Sequence, residues 1–271
     1  MATSLILRLG LLVFVVACGA PEADGTSASN STDGATDVGS ARPAAEVPQI
    51  VLRALEHHGS AILESSRVSL TVSSRSGSFD VVAELGPVFD FVVRQGEGDD
   101  FLERRHTNKI GEPEASEIRE SGGELSVLEG RAAQIVRDYV SARIYFLFFP
   151  YRLEDPNTYL RDQGTESWDG RSLHKIELSF EAGTSTNSKE RFLFWFEPES
   201  AELEQFAYSF DGGIRFRKLI DKRRVAGVLL ASQENYAHNE DVSVDVITPE
   251  FAAEMDLLSV VELKDIEVEP R

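Results

Sequence analysis

Cys18 is the only cysteine among 271 residues, so thiol chemistry in this chain has one address and no intramolecular disulfide can form. The other groups capable of chemistry are scattered. The five histidines are His57, His58, His106, His174 and His238. His57 and His58 are adjacent, and neighbours on a helix point about 100° apart, so they do not chelate one ion. His174 falls on the apolar face of a strand pattern, where a hydrogen-bonded core histidine is the ordinary reading. Gly-x-Ser-x-Gly, His-Glu-x-x-His, a phosphate-cradling glycine loop and paired metal-binding cysteines are all missing from the sequence. No catalytic residue, metal or cofactor is therefore expected, and the chain does not read as an enzyme. Acidic groups at Asp99-Asp100 and Glu112-Pro-Glu114-Ala-Ser-Glu117 fall in expected turns and read as solvated charge. Arg215 and Arg217 occupy alternate strand positions and so share one face. A carboxylate partner is expected for them, with Asp155 the candidate for a structural pair and an anion site the other option.

The setting of Cys18 explains it. Arg8 precedes an apolar run, Leu9 to Ala17, that is too short for a membrane-spanning helix of about 20 residues but has the length of a signal-peptide core. Val15-Val16-Ala17-Cys18-Gly19 resembles the lipobox of bacterial lipoproteins. That resemblance implies export, cleavage before Cys18, attachment of a diacylglycerol to its sulfur, acylation of the new amino terminus with a palmitate-like chain, and a lipid anchor. Gly19 in place of Asp favours onward sorting to the outer membrane of the cell envelope. Residues 1–17 are thus expected to be a signal peptide.

Charge and composition narrow the rest. The net charge is −19, and removal of Arg8 with the signal segment makes it one unit more negative. Such a chain repels phosphate backbones, which excludes nucleic acid as a partner. Residues 18–46, the anchored cysteine and an Ala/Ser/Thr/Gly-rich stretch, carry too little apolar surface to offset ordering and read as a flexible linker. Extended, such a linker reaches roughly 90 Å. As a coil it spans roughly 30 Å.

Residues 47–271 read as a single globular α+β domain. Val47, Ile50, Val51, Ala54, Leu55 and His58 fall at helical spacing, with Pro48 at the start and Gly59 past the end. Period-two alternation follows in Val68/Leu70/Val72, Phe79/Val81/Ala83/Leu85 and Phe89/Phe91/Val93. Arg131 to Phe149 predicts a second helix, apolar all round at Tyr145 to Phe149 and stopped by Pro150. Strands resume with His174/Ile176/Leu178/Phe180 after the Asp169-Gly170 turn, then Arg191 to Phe196, apolar on both faces, and Phe206/Tyr208/Phe210. Further strands are expected at Ile214 to Arg217, Val225 to Leu230, Val242 to Ile247 and Val260 to Val268. The expected architecture is a large curved, half-barrel-like antiparallel sheet with two main helices on its concave face.

Tyr145-Phe-Leu-Phe-Phe-Pro-Tyr-Arg-Leu-Glu-Asp-Pro156 resembles the signature of a family of uncharacterised bacterial lipoproteins carrying a domain of unknown function. The likeness extends through His58-Gly59, Gly164-x-Glu166-x-x-Asp169-Gly170, Phe194-Trp195-Phe196, Ala207-Tyr208-Ser209-Phe210, Gly212-Gly213-Ile-Arg-Phe-Arg217 and Asn235-Tyr236. More loosely, this family is similar to the Lol-type lipoprotein carriers, whose curved half-barrel holds acyl chains. The carriers' membrane-inserting loop has no counterpart in the sequence. Two readings stay open: a protein sheltering a lipid or other apolar ligand, and a structural or interaction lipoprotein with a solid core. If there is a groove, Phe194, Phe196, Phe206, Tyr208 and Phe210 form its floor, and Phe146, Phe149 and Tyr151 its lid.

Cys18→Ala is expected to abolish palmitate incorporation and membrane attachment while leaving the domain from Val47 folded. Radiolabelling and membrane fractionation check the first, and circular dichroism of the soluble product checks the second.

Overall fold

The computed structural model of the chain describes residues 47–155, 158–180, 191–210, 212–240 and 242–271. The expectations for residues 1–46, Cys18 and the linker included, lie outside the described residues. Helix α1, Gln49–His58, buries the expected stripe of Ile50, Val51, Ala54, Leu55 and His58. Gly59, at φ 79°, ends it and donates its N–H to Glu56 O at 3.1 Å. The chain then turns directly into the short α2, Ser60–Glu64.

Six strands follow: β1 Ser66–Ser74, β2 Gly77–Glu84, β3 Phe89–Glu97, β4 Asp100–Asn108, β5 Ala115–Glu120 and β6 Ser126–Val127. Helix α3, Gly130–Phe148, comes next, within one residue of its expected span. The second half comprises β7 Thr158–Trp168, β8 Arg171–Phe180, β9 Arg191–Phe196, β10 Leu203–Phe210, β11 Gly213–Val225 and β12 Val228–His238. A 3-10 turn at Val244–Val246, helix α4 at Pro249–Ala253 and strand β13, Asp256–Pro270, complete the described chain.

Among the described residues the thirteen strands form one antiparallel sheet, ordered β6-β5-β4-β3-β2-β1-β13-β12-β11-β10-β9-β8-β7. Each half is a meander of neighbouring hairpins. β13 inserts between them, pairing Val68 with Val268 on one side and Gln233 with Val261 on the other. The expected curved sheet with α1 and α3 as its main helices is the observed fold.

Alternation divides the core by face. Phe192, Phe194 and Phe196 point to the helix-covered side with Ile176, Phe206 and Tyr208. Leu193 and Trp195 point the other way, against Trp168, Phe216, Val244, Ile247 and Met255. The strand that is apolar on both faces is therefore covered on both. A third cluster under α3 joins Val136, Val140, Ile144 and Leu147 to Val68, Leu70, Val81 and Val93.

Three sequence expectations are corrected. Val225 to Leu230 is not an independent strand, because Ala226 and Gly227 turn β11 into β12. Val242 to Ile247 is not a strand either. Val244 and Ile247, three apart, both tuck into the outer core, while the Ser243 hydroxyl accepts from Asp245 N at 3.2 Å and closes a tight turn. The acidic run at Glu112 to Glu117 is part turn, part strand: Glu117 lies on β5 and meets Arg105 at 3.6 Å.

Gly59 carries a sharp local test. A Cβ there would stand 2.6 Å from the Gly227 carbonyl oxygen, and the left-handed backbone adds about 1–2 kcal/mol for an L side chain. Gly59→Ala is expected to lower unfolding stability by about 2 kcal/mol or more, read as an earlier urea midpoint with an unchanged slope.

Candidate functional site: an aromatic floor and its helical cover

The floor lies across β9 and β10. Antiparallel register sets Phe194 beside Phe206 and Phe192 beside Tyr208, and each adjacent pair points to the same face. Phe192 stacks on Tyr208 at 5.2 Å and on Phe194 at 6.0 Å between ring centroids, and Phe196 continues the row 6.4 Å from Phe194. Phe210 ends it 6.4 Å from Tyr208.

The cover is the end of α3. Phe149 meets Phe194 and Phe206 edge-on at 4.9 and 5.0 Å, and Phe146 stacks on Tyr208 at 4.9 Å. Tyr145, which was not expected to take part, packs against Phe149 at 4.4 Å. The structure thus brings Phe146, Phe149, Phe194, Phe196, Phe206, Tyr208 and Phe210 together. Tyr151 goes elsewhere. Past Pro150 the chain reverses, and Tyr151 joins the core under α3, its hydroxyl donating to Glu64 Oε1 at 3.4 Å.

Floor and cover meet closely. Phe194, Phe196 and Phe206 are fully buried. The space left beside them, lined by His58, Phe146, Phe149, Phe206, Lys222 and Gln233 among others, is a cavity of about 10 Å³. That volume suits about one water molecule and no acyl chain.

A polar strip borders the floor on β11 and β12. Arg217 lies beside Phe206 and opposite Asn235 in the pairing, and Gln233 lies opposite Leu219. Arg217 Nη1 donates to Gln233 Oε1 at 2.8 Å, and Gln233 Nε2 donates to the Phe146 carbonyl at 2.8 Å. The guanidinium also lies 4.8 Å from the centroid of the Phe146 ring. A carbonyl in the last turn of a helix has no intrahelical partner and sits at the negative end of the dipole. Gln233 satisfies it and Arg217 complements it.

Asp155 was expected to pair with Arg217 or Arg215; the side-chain acceptor of Arg217 is Gln233 instead. Asp155 lies in the turn after α3, where its carbonyl accepts from Thr158 N at 2.9 Å. Arg215 shares Arg217's face as expected, with Nη1 donating to the Ile214 carbonyl at 3.1 Å and its guanidinium 4.5 Å from the Phe210 ring centroid. Sequence reasoning passed over Gln233. The available signal was a pair of amides, Gln233 and Asn235, continuing the inward face of Ala231 on one strand.

The histidines hold structure. His58, 3% exposed, accepts the Leu203 N–H through Nε2 at 3.0 Å and fastens α1 to β10. Burial, reinforced by neighbouring His57, pushes its pKa from 6.5 down to about 3. His174 is not a core residue: it is half-buried and pairs with Asp162 at 2.8 Å.

The sequence profile of DUF6503, a family of unknown function, matches residues 117–260. The chain belongs to that family. The match takes in α3, the aromatic floor and the polar relay, and it agrees with the resemblance read from the motifs between Tyr145 and Tyr236. A DUF1329 family protein from Desulfovibrio piger is similar in fold, with a TM-score of 0.51 at 13% identity over 80% of this chain and 91% of that one. A LolA superfamily protein from Nitrosomonas europaea matches less closely, with a TM-score of 0.47 at 11% identity over 82% of this chain and 92% of that one. No protein with a curated description matches by sequence.

Two predictions follow from this geometry. Gln233→Leu strips Arg217 of its side-chain acceptor and leaves the Phe146 carbonyl unpaired, so it is expected to cost about 3 kcal/mol in denaturant unfolding. Adding Arg217→Met should recover part of that loss, because the uncompensated charge goes with it. His58 supplies the second. Its folded pKa lies below its unfolded value, so its contribution is complete above about pH 6.5 and declines as pH falls toward 3. His58→Gln should remove up to about 1.4 kcal/mol per pH unit of that decline between pH 6 and 4, measured as the difference in unfolding free energy from wild type.

Proposed function

We propose that the protein is a non-enzymatic, lipid-anchored binding protein of the bacterial envelope. It is held at the outer membrane through Cys18 and takes an acyl chain or similar apolar ligand between the aromatic floor and the end of α3. One observation carries this reading. The large apolar side chains are divided between two surfaces, strands β9 and β10 on one side and the α3 end on the other, joined by side-chain packing and the Gln233 bond. A ladder of backbone bonds binds each strand to the next, but no ladder binds the cover to the floor. The resemblance of the sequence to the Lol-type carriers points the same way. With a cavity of about 10 Å³, binding requires the segment from Phe146 to Phe149 to move off the floor.

A carboxylate, an imidazole and a hydroxyl meet on the hairpin of β4 and β5. Glu114, His106 and Ser116 stand in line, with Glu114 Oε1 2.6 Å from His106 Nε2 and Ser116 Oγ 3.3 Å from His106 Nδ1. His106 and Ser116 are both buried, and their contacts tie β4 to β5 within the sheet.

The filled interior favours a second reading, a solid-core lipoprotein acting through surface contacts. Titration of the purified Cys18→Ala protein with the neutral dye Nile red separates the two. The binding reading expects saturable fluorescence and a melting temperature that rises with ligand by mass action. Both should be lost in Phe210→Asp while its circular dichroism stays native. A well-folded protein that binds no apolar probe leaves the solid-core reading standing.

A further inference from the structure

Arg217 is 7% exposed, and the partners of its side chain are the neutral Gln233 oxygen and the Phe146 ring. No carboxylate stands within ion-pair distance of it among the described residues. The chain is not short of carboxylates, with 46 Asp and Glu against 27 Lys and Arg. Several other partly covered cations meet carboxylates: Arg105 with Asp90, Lys222 with Glu202 and Glu204, Arg191 with Glu177 and Asp245. A buried cation without a counter-charge is strongly disfavoured. The guanidinium itself has a free edge. Nη1 is used by Gln233, whereas Nε is buried and without a hydrogen-bond partner. The edge formed by Nε and Nη2 is the one that receives a carboxylate or phosphate through two parallel bonds.

The register places this edge at the end of the aromatic row. Arg217, Phe206, Phe194 and Ile176 are successive cross-strand neighbours on one face, from β11 to β8. Three strand spacings make that row roughly 14 Å long, at about 4.8 Å each. It is charged at one end and apolar along the rest, which is the pattern of an amphiphile.

We propose that the ligand is an acyl chain with an anionic head, a carboxylate or a phosphate monoester. The head is received on the Nε–Nη2 edge of Arg217, and the chain lies along Phe206 and Phe194. This rests on the binding reading above and adds the head group to it.

The test is displacement of Nile red from the purified Cys18→Ala protein by oleic acid, oleyl phosphate and oleyl alcohol, which differ only in the head. At least one anion should displace the dye at about tenfold lower concentration than the alcohol, the range of one charge-assisted contact. The stronger anion assigns the head. Arg217→Met should bring the anion-to-alcohol ratio close to one while dye binding persists. If that variant does not fold, Arg217→Lys serves, since a lysine keeps the charge but loses the two-bond fork, and its ratio should fall at least threefold. Equal displacement by anions and alcohol in the wild type, with the dye bound, overturns the head-group proposal and leaves the apolar groove intact. An unchanged ratio in both Arg217 variants also overturns it. Absence of dye binding in the wild type removes the groove reading and this one with it.

Discussion

A guanidinium, a side-chain amide and a helix carbonyl stand in series beneath α3, and the arrangement of the concave core depends on them. Apolar packing alone would hold the end of α3 against the sheet without fixing where along it the helix sits, because contact between rings is only weakly directional. Gln233 supplies the direction. Its oxygen accepts from Arg217 and its nitrogen donates to Phe146 O, both at 2.8 Å, so a single orientation of the amide satisfies both neighbours. A glutamate there could accept from the arginine but could not donate to the carbonyl. A leucine could do neither. The positive charge behind the amide faces the negative end of the helix, so electrostatics and hydrogen bonding favour the same placement.

From that point the chemistry of the concave face changes across the sheet. On the β9 and β10 side, the cover meets stacked rings. On the β1 to β3 side, it meets aliphatic residues such as Val68, Leu70 and Val93, joined by Val140 and Ile144 of α3. Leu147 and Phe148 belong to the cluster under α3, whereas Phe146 and Phe149 face the aromatic floor. The helix end therefore straddles two cores of different character, with the polar strip running between them. That explains why Tyr145 to Phe149 is apolar all round: each side of the helix has its own apolar surface to cover.

Much of this was legible in the sequence where periodicity is strong. The helices around Ile50 and Val140 and the strands around Leu70, Val81 and Phe194 follow directly from apolar spacing, and so does the gathering of floor and cover rings. Elements with mixed faces were not legible. β4 carries Glu103, Arg104, Arg105 and His106 in succession, and their ion pairs and ring contacts stand in for the usual alternation. Tyr151 was placed with the cover because it follows Phe149 closely, and the chain reversal at Pro150 sends it to the opposite cluster. Arg217 was matched to a carboxylate by charge. Its actual partner is neutral and lies on the adjoining strand, a choice set by register that no spacing rule encodes.

The position of β13 has a consequence for how the molecule comes into being. The strands from β1 to β6, and those from β7 to β12, can each pair with neighbours close in sequence, as a hairpin ladder grows. The two ladders have no edge in common until β13 enters, where Ser66 meets Pro270 and Gln233 meets Val261. As the chain is synthesised, both halves therefore present an open edge at the place their shared strand will occupy. Closure depends on the contact of greatest sequence separation in the fold, the kind that makes folding slow. The sheet therefore cannot lock before its keystone strand is available.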